Sequence, residues 1–244
     1  MSAPLLEMID VRYTYPGADA AATACVALRT DALAGTSLTL HAGERLALLG
    51  SNGSGKSTLL LHLNGILRPT AGEVRFDSHA LDYSRKGLLA LRQQVALVFQ
   101  DPDDQLFAGT LAQDVSFGPL NLGLDNAQTR ARVAEALAAV DLADHAELPL
   151  HMLSHGQRKR AAIAGALAMR PRVLLLDEPT AGLDPDGVKL LLDHLDQRIA
   201  QGLSIIFSTH DRDLALHWAN RVAIIRQGRV TTSGVPEKIL GGDA

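Results

Sequence analysis

Nine consecutive residues, Gly50-Ser51-Asn52-Gly53-Ser54-Gly55-Lys56-Ser57-Thr58, combine glycines, one lysine and hydroxyl side chains in an order that suits a polyphosphate. They match G-x-x-x-x-G-K-[ST], in which glycines let the backbone wrap close to phosphate and turn several N–H groups inward. An apolar strand-like run, 45–49, leads into the loop, and a helix-like run, 58–67, leads out of it. The start of that helix adds a partial positive charge where an anion would lie. Lys56 can reach the β- and γ-phosphates, and the Ser57 hydroxyl can ligate Mg²⁺. The flanking strand and helix argue against a plain glycine-rich turn, so the segment reads as a nucleoside triphosphate site.

A second chemical cluster lies downstream. Residues 172–180, Arg-Val-Leu-Leu-Leu-Asp-Glu-Pro-Thr, read as a buried strand, 173–177, ending in two acids. An unbroken apolar run suits a parallel strand covered on both faces, and ligands in such sheets sit beyond the carboxyl ends of the strands. Neighbours on a strand point to opposite faces, which predicts different tasks for the two acids. Asp177 is expected to hold Mg²⁺ beside Ser57, and Glu178 to accept a proton from, or orient, the attacking water. Another buried strand, within 203–211, brings His210 to its carboxyl end, and Gln100 ends the strand 95–99 in the same way. The Gln100 amide oxygen can serve Mg²⁺ or the water.

These residues need a scaffold, and the hydrophobic pattern supplies one. Short apolar strands are predicted at 6–13, 37–40, 45–49, 73–76, 95–99, 173–177, 204–208, 222–226 and 229–232, alternating with helical patterns. That alternation indicates an α/β architecture with a largely parallel sheet. The strand at 73–76 and the N-terminal pair read as antiparallel additions. Residues 110–169 hold no convincing strand and read as helices at 110–117, 126–140 and 154–169, a helical subdomain inserted between two strands of the nucleotide core. Residues 18–35 are alanine-rich and patternless, which suggests an exposed loop or hairpin extension.

Bulk properties narrow the function classes. The chain has 244 residues, 47 % hydrophobic content and a formal net charge of −4 with scattered Lys and Arg, so it has no basic footprint for nucleic acid. One cysteine, Cys25, excludes an internal disulfide and fits a reducing compartment. The N-terminus lacks a signal-peptide layout, and no apolar run approaches the roughly 20 residues a membrane span needs. The expectation is a cytoplasmic protein that reaches the membrane, peripherally, through a partner.

Adding Leu153-Ser154-His155-Gly156-Gln157, the chain resembles the ATP-binding cassette (ABC) ATPases. The motifs follow that family's order: phosphate loop, Gln100, the signature at 153–157, Asp177-Glu178, Ala181-Gly182-Leu183-Asp184, and His210. The resemblance runs from Tyr15 to Gly234. It implies a P-loop NTPase core with a mostly parallel sheet, an antiparallel β subdomain and a helical subdomain at roughly 108–169, in one ATPase domain over 1–244. It further implies a head-to-tail homodimer in which each ATP lies between one phosphate loop and the partner's signature. Ser154 suits the N-cap of the signature helix, and Gly156 allows close backbone approach to a γ-phosphate. Gln157 and Asp184 join the site by resemblance, Asp184 through the loop that links the two sites. Tyr15 matches the aromatic residue that stacks on adenine, with Tyr13 as the fallback. His155 departs from the usual glycine. His151 and His155 have metal-pair spacing, but Ser154 is expected to start the helix and leave His151 outside it.

Gln100-Asp101-Pro102-Asp103-Asp104-Gln105-Leu106-Phe107 is acidic and ends apolar. In ABC transporters this region borders the groove for a coupling helix of the membrane subunit, and an acidic rim suits a basic amphipathic helix. With Arg158-Lys159-Arg160 after the signature, the wording resembles the energy-coupling-factor group, which includes cobalt and nickel uptake ATPases, and the His-bearing signature is most similar to the cobalt-uptake type. The expected partners are a second copy, an integral-membrane coupling subunit and a substrate-binding membrane component. Alternatives are a vitamin-type importer of the same group, or a soluble ABC ATPase such as an iron–sulfur assembly factor.

Overall fold

The computed structural model describes residues 3–16 and 31–241. Cys25 and residues 18–30 of the alanine-rich segment lie outside the described residues. In chain order the elements are β1 (Leu6–Tyr13), β2 (Leu33–Leu40), β3 (Arg45–Leu49), α1 (Lys56–Leu63), β4 (Ala71–Phe76), β5 (His79–Ala80), α2 (Arg85–Gln94), β6 (Val95–Val98) and α3 (Leu111–Asn121). There follow α4 (Asn126–Ala138), α5 (His155–Ala168), β7 (Val173–Leu176), α6 (Pro185–Ile199), β8 (Ser204–Thr209), α7 (Arg212–Trp218), β9 (Arg221–Arg226), β10 (Arg229–Gly234) and α8 (Pro236–Leu240). The chain divides into two compact units, Met1–Arg92 with Ile206–Ala244, and Gln93–Ile205.

In the first unit β1 pairs antiparallel with β2 and with β4, and β4 continues to β5. Leu6, Met8, Val11 and Tyr13 of β1 are buried. Period two alone would not place Met8 and Val11 on one face. A bulge at Asp10, with φ +45, shifts the register and restores the apolar face. β5 was not predicted, because Asp77-Ser78, both at positive φ, lacks the usual Asn-Gly or Asp-Gly turn signal. The alanine-rich segment also needs correction at its end. Leu33 to Gly35 belong to β2, Leu33 is fully buried, and the Ala34 amide donates to the Gly228 carbonyl at 2.8 Å. Elsewhere in this unit β3 runs parallel to β9, and β10 folds back antiparallel on β9.

The second unit contains a parallel pair, β6 and β7, with all four residues of β7 buried. The α3, α4 and α5 helices pack on one another. Small side chains of α5, among them Ala161, Ala162 and Ala164, allow that close approach. The α3 helix runs to Asn121, past the predicted end at 117, although Pro119 lies inside it. Proline removes one late helical bond, and Leu122 still donates to the Gly118 carbonyl at 3.1 Å. Parallel pairs flanked by helices, with a separate antiparallel sheet, make the chain an α/β protein, as the sequence indicates. Among the described residues no helix is long and apolar enough to cross a membrane.

Candidate active site

In the first unit the loop between β3 and α1 forms the phosphate-binding half. Gly55 precedes α1 with φ +108, a conformation that L side chains rarely adopt, and a Cβ there would stand 2.6 Å from the Ala32 carbonyl. No side chain caps α1, so its first-turn N–H groups are available to an anion. Lys56 is buried, and its Nζ donates to the carbonyls of Gly50 (2.8 Å) and Ser51 (3.3 Å) within the loop. Phosphate oxygens are stronger acceptors for the ammonium than these carbonyls. Ser54 Oγ is buried without a hydrogen-bond partner, a polar orphan inside the cradle. Ser51, Asn52, Gly53 and Ser57 are exposed at the loop surface.

The structure separates the two candidate tyrosines. β1 ends at Tyr13, whose ring is buried edge-on against His62 at 4.8 Å. Tyr15 lies beyond the strand and is 46 % exposed, and its hydroxyl is 3.1 Å from Thr58 Oγ1 at the start of α1. Tyr15 therefore offers a ring face beside the phosphate loop, and Tyr13 does not. His210 directly follows β8 and is exposed. With Gly50 and Ser51 it lines a cleft of about 990 Å³ that also holds Arg212, Arg226 and Arg229.

The second unit carries the acids and the signature. β7 ends at Leu176, one residue earlier than predicted, and the Asp177 amide donates to the Val98 carbonyl at 3.0 Å. Asp177 and Glu178 are both buried, at 8 % and 7 % exposure. Glu178 has φ +47, so the alternation argument for two separate tasks does not apply. A turn outside the strand directs this residue, at a local cost of ~1–2 kcal/mol for a left-handed non-glycine backbone. Gln100 also lies beyond its strand, which ends at Val98, and is exposed.

Ser154 caps α5 in a reciprocal capping box. Its hydroxyl accepts from the Gln157 amide (3.2 Å), and Gln157 Oε1 accepts from the Ser154 amide (2.8 Å). The Gln157 side chain also meets His145 Nε2 at 3.1 Å, so it braces the helix start. Gly156 stands close to Leu183, where a Cβ would approach the leucine methyl to 3.2 Å. Asp184 caps α6 by accepting from the Gly187 amide at 2.7 Å. His151 lies in a separate single turn, Leu150–Met152, outside α5. Among the described residues no group of three or more His, Cys, Asp or Glu is placed to hold a metal.

Sequence reasoning missed Lys159. It is 1 % exposed, and its Nζ donates to the carbonyls of Glu178 (2.6 Å) and Ala181 (2.9 Å). The available signal was a charge on the buried face of the alanine-rich helix α5. Burial lowers the Lys159 pKa, while the Glu178, Asp101 and Asp177 carboxylates oppose that shift. Ser57 in the first unit, and Gln100 and Asp177 in the second, each carry an oxygen donor of the hard kind that Mg²⁺ takes.

Comparison with known proteins agrees with this geometry. The family described as ABC transporter matches residues 33–181. A cobalt import ATP-binding protein of Rhodobacter capsulatus is 52 % identical over 241 residues, 99 % of this chain and 82 % of that protein. An energy-coupling factor transporter ATP-binding protein of Methanosphaera stadtmanae is 46 % identical, covering 97 % of this chain and 81 % of the relative. A solved structure from Clostridium perfringens, cbiO1, described as part of the ABC transporter complex cbiONQ, superposes with a TM-score of 0.86 at 41 % identity. That match covers 99 % of this chain and 92 % of the other. With its uncapped phosphate loop, buried acid pair and capped signature helix, this chain belongs to the ABC transporter family and is one of its ATPases.

Proposed function

We propose that this ATPase powers a membrane importer of the energy-coupling-factor type, with cobalt or nickel ions as the transported cargo. The observation that carries the transport reading is an exposed aromatic pair. Phe107 (66 % exposed) and Phe117 (51 %) meet edge-on at 4.9 Å, at the end of the acidic segment that begins with Gln100. Apolar rings that follow Asp101, Asp103 and Asp104 closely in the chain suit a basic amphipathic helix of a membrane subunit. The segment is tied to the signature helix by Arg158 on Asp103 (3.3 Å) and by Gln105 Nε2 on the Ala162 carbonyl (3.1 Å). Displacement of the docked segment would therefore reach α5 directly. The cobalt reading is supported by the 52 % identical relative.

In this reading the loop amides, Lys56 and the N-terminus of α1 bind the triphosphate, and Tyr15 stacks on adenine. Ser57, Gln100 and Asp177 would hold Mg²⁺, which would supply positive charge against the phosphate oxygens. Glu178 takes the proton of the attacking water, and His210 faces the phosphate side. A second copy completes each site with the Ser154-capped N-terminus of α5, its Gly156 backbone and the loop ending in Asp184. Association with the transporter places the protein at the cytoplasmic face of the membrane.

The test is reconstitution of the chain with its membrane components in vesicles. ATP-dependent cobalt uptake is expected, and it should be lost in Phe107→Ser/Phe117→Ser. Vitamin uptake instead would favour the vitamin-type importer. Capture of a soluble iron–sulfur scaffold in place of a membrane component would overturn the transport reading.

A further inference from the structure

Lys159 is a buried cation to which the chemistry above gives no task. Both of its acceptors are main-chain atoms, the carbonyl oxygens of Glu178 and Ala181. Its contacts therefore fix the path of the backbone and do not pair it directly with a carboxylate. The Glu178 carbonyl accepts a second bond, from the Ala181 amide at 3.2 Å, which closes the turn on itself. Glu178 sits in this turn at φ +47, and a left-handed non-glycine residue persists only where its surroundings hold it. The lysine that holds it belongs to α5, the helix whose first turn carries the signature.

We propose that Lys159 is a positioning residue for ATP hydrolysis: by gripping the Glu178 and Ala181 carbonyls from the signature helix, it sets where the Glu178 carboxylate stands. The inference rests on the reading of Glu178 as the group that takes the proton from water. A lysine that merely satisfied two buried carbonyls would affect stability and nucleotide affinity together. One that positions Glu178 acts on turnover, because a small misplacement of a catalytic group costs rate and leaves ground-state binding intact.

The experiment is steady-state ATP hydrolysis and equilibrium ATP binding by the full chain carrying Lys159→Met, Lys159→Gln, Glu178→Gln, or Lys159→Met with Glu178→Gln. Lys159→Met should lower kcat roughly 10- to 100-fold with KM and ATP affinity within about twofold. Lys159→Gln, a shorter donor, should fall between Met and wild type. The double variant should be no slower than Glu178→Gln alone, since Lys159 acts through that residue. Wild-type kcat in the Lys159 variants, or a loss in which ATP affinity falls in parallel, overturns the proposal. If Lys159→Met does not fold, Lys159→Gln is judged by the same two criteria. Wild-type turnover by Glu178→Gln would instead defeat the reading of Glu178 itself, whatever the lysine variants do.

Discussion

The imidazole of His155 lies against Gly182: a Cβ on Gly182 would stand 3.2 Å from His155 Nε2. Gly182 has φ +77, so the ring covers a bend that a larger residue would occupy only under strain. The histidine in the signature thus packs on the loop that ends in Asp184, within its own unit. For this reason His155→Gly is expected to keep kcat within about tenfold of wild type, a change below ~1.4 kcal/mol. Collapse of turnover beyond that range, with ATP binding preserved, would assign His155 a chemical role.

Glu178 is buried in the turn just past the fully apolar strand β7 and is the proposed proton acceptor. Glu178→Gln keeps its shape and removes its basicity. The hydrolysis rate should fall at least ~100-fold, the usual contribution of a general base. ATP should be retained and a nucleotide-dependent dimer should accumulate, which size-exclusion chromatography with light scattering would detect. A strictly monomeric ATP-loaded variant at every concentration would remove the shared-site proposal.

Lys56 and Tyr15 both stand at the loop between β3 and α1, Lys56 through the Gly50 and Ser51 carbonyls and Tyr15 through the Thr58 hydroxyl, and are proposed to serve phosphate and base. Lys56→Ala removes a charge-assisted contact and should weaken ATP binding by ~1.5–3 kcal/mol, roughly 10- to 150-fold. Tyr15→Ala should weaken ATP and leave inorganic triphosphate unaffected, because only the nucleotide has a base to stack. Tyr13→Phe, in the buried ring beside His62, should change neither. Fluorescent nucleotide titration distinguishes these outcomes.

His62 should make the fold acid-sensitive. It is fully buried, its Nδ1 meets the Thr58 carbonyl at 2.7 Å, and its Nε2 has no partner. Desolvation lowers its pKa, against a smaller opposing effect of the Thr58 bond. The unfolded chain therefore takes up the proton first as pH falls. This contribution to stability is full above about pH 6.5 and is lost toward the lower folded value. Urea denaturation between about pH 7.5 and pH 5.5 should show that loss, and His62→Gln should flatten it. Equal slopes in the two proteins would acquit His62.

Phe107→Ser should weaken association with the membrane subunit by more than ~1 kcal/mol, as expected for an aromatic anchor. ATP hydrolysis by the isolated chain should stay unchanged. Equal co-purification of variant and wild type would move the docking surface elsewhere.

Much of the fold was legible because its signals are local. The run Val173–Leu176 needed no partner to read as a buried strand, and Gly55-Lys56-Ser57 carries its loop geometry in its residue types. Boundaries failed where a distant contact decided them. Leu33 to Gly35 join β2 through Gly228, nearly 200 positions away along the chain, and α3 continues past Pro119 because its last turn tolerates one missing bond. Within the candidate site Tyr15 and Tyr13 were inseparable by spacing. Burial of one ring and exposure of the other separates them.

Residue order alone establishes a triphosphate loop, an acid pair at a strand end and a serine-capped signature helix. Each depends on neighbours within one turn or one strand, where sterics and backbone hydrogen bonding leave few choices. Which ring faces solvent, why Glu178 adopts a left-handed backbone and what neutral atoms a buried lysine grips are settled only by folding. Those answers come from residues far apart in the chain, such as Lys159 and Glu178, whose contact no local pattern encodes.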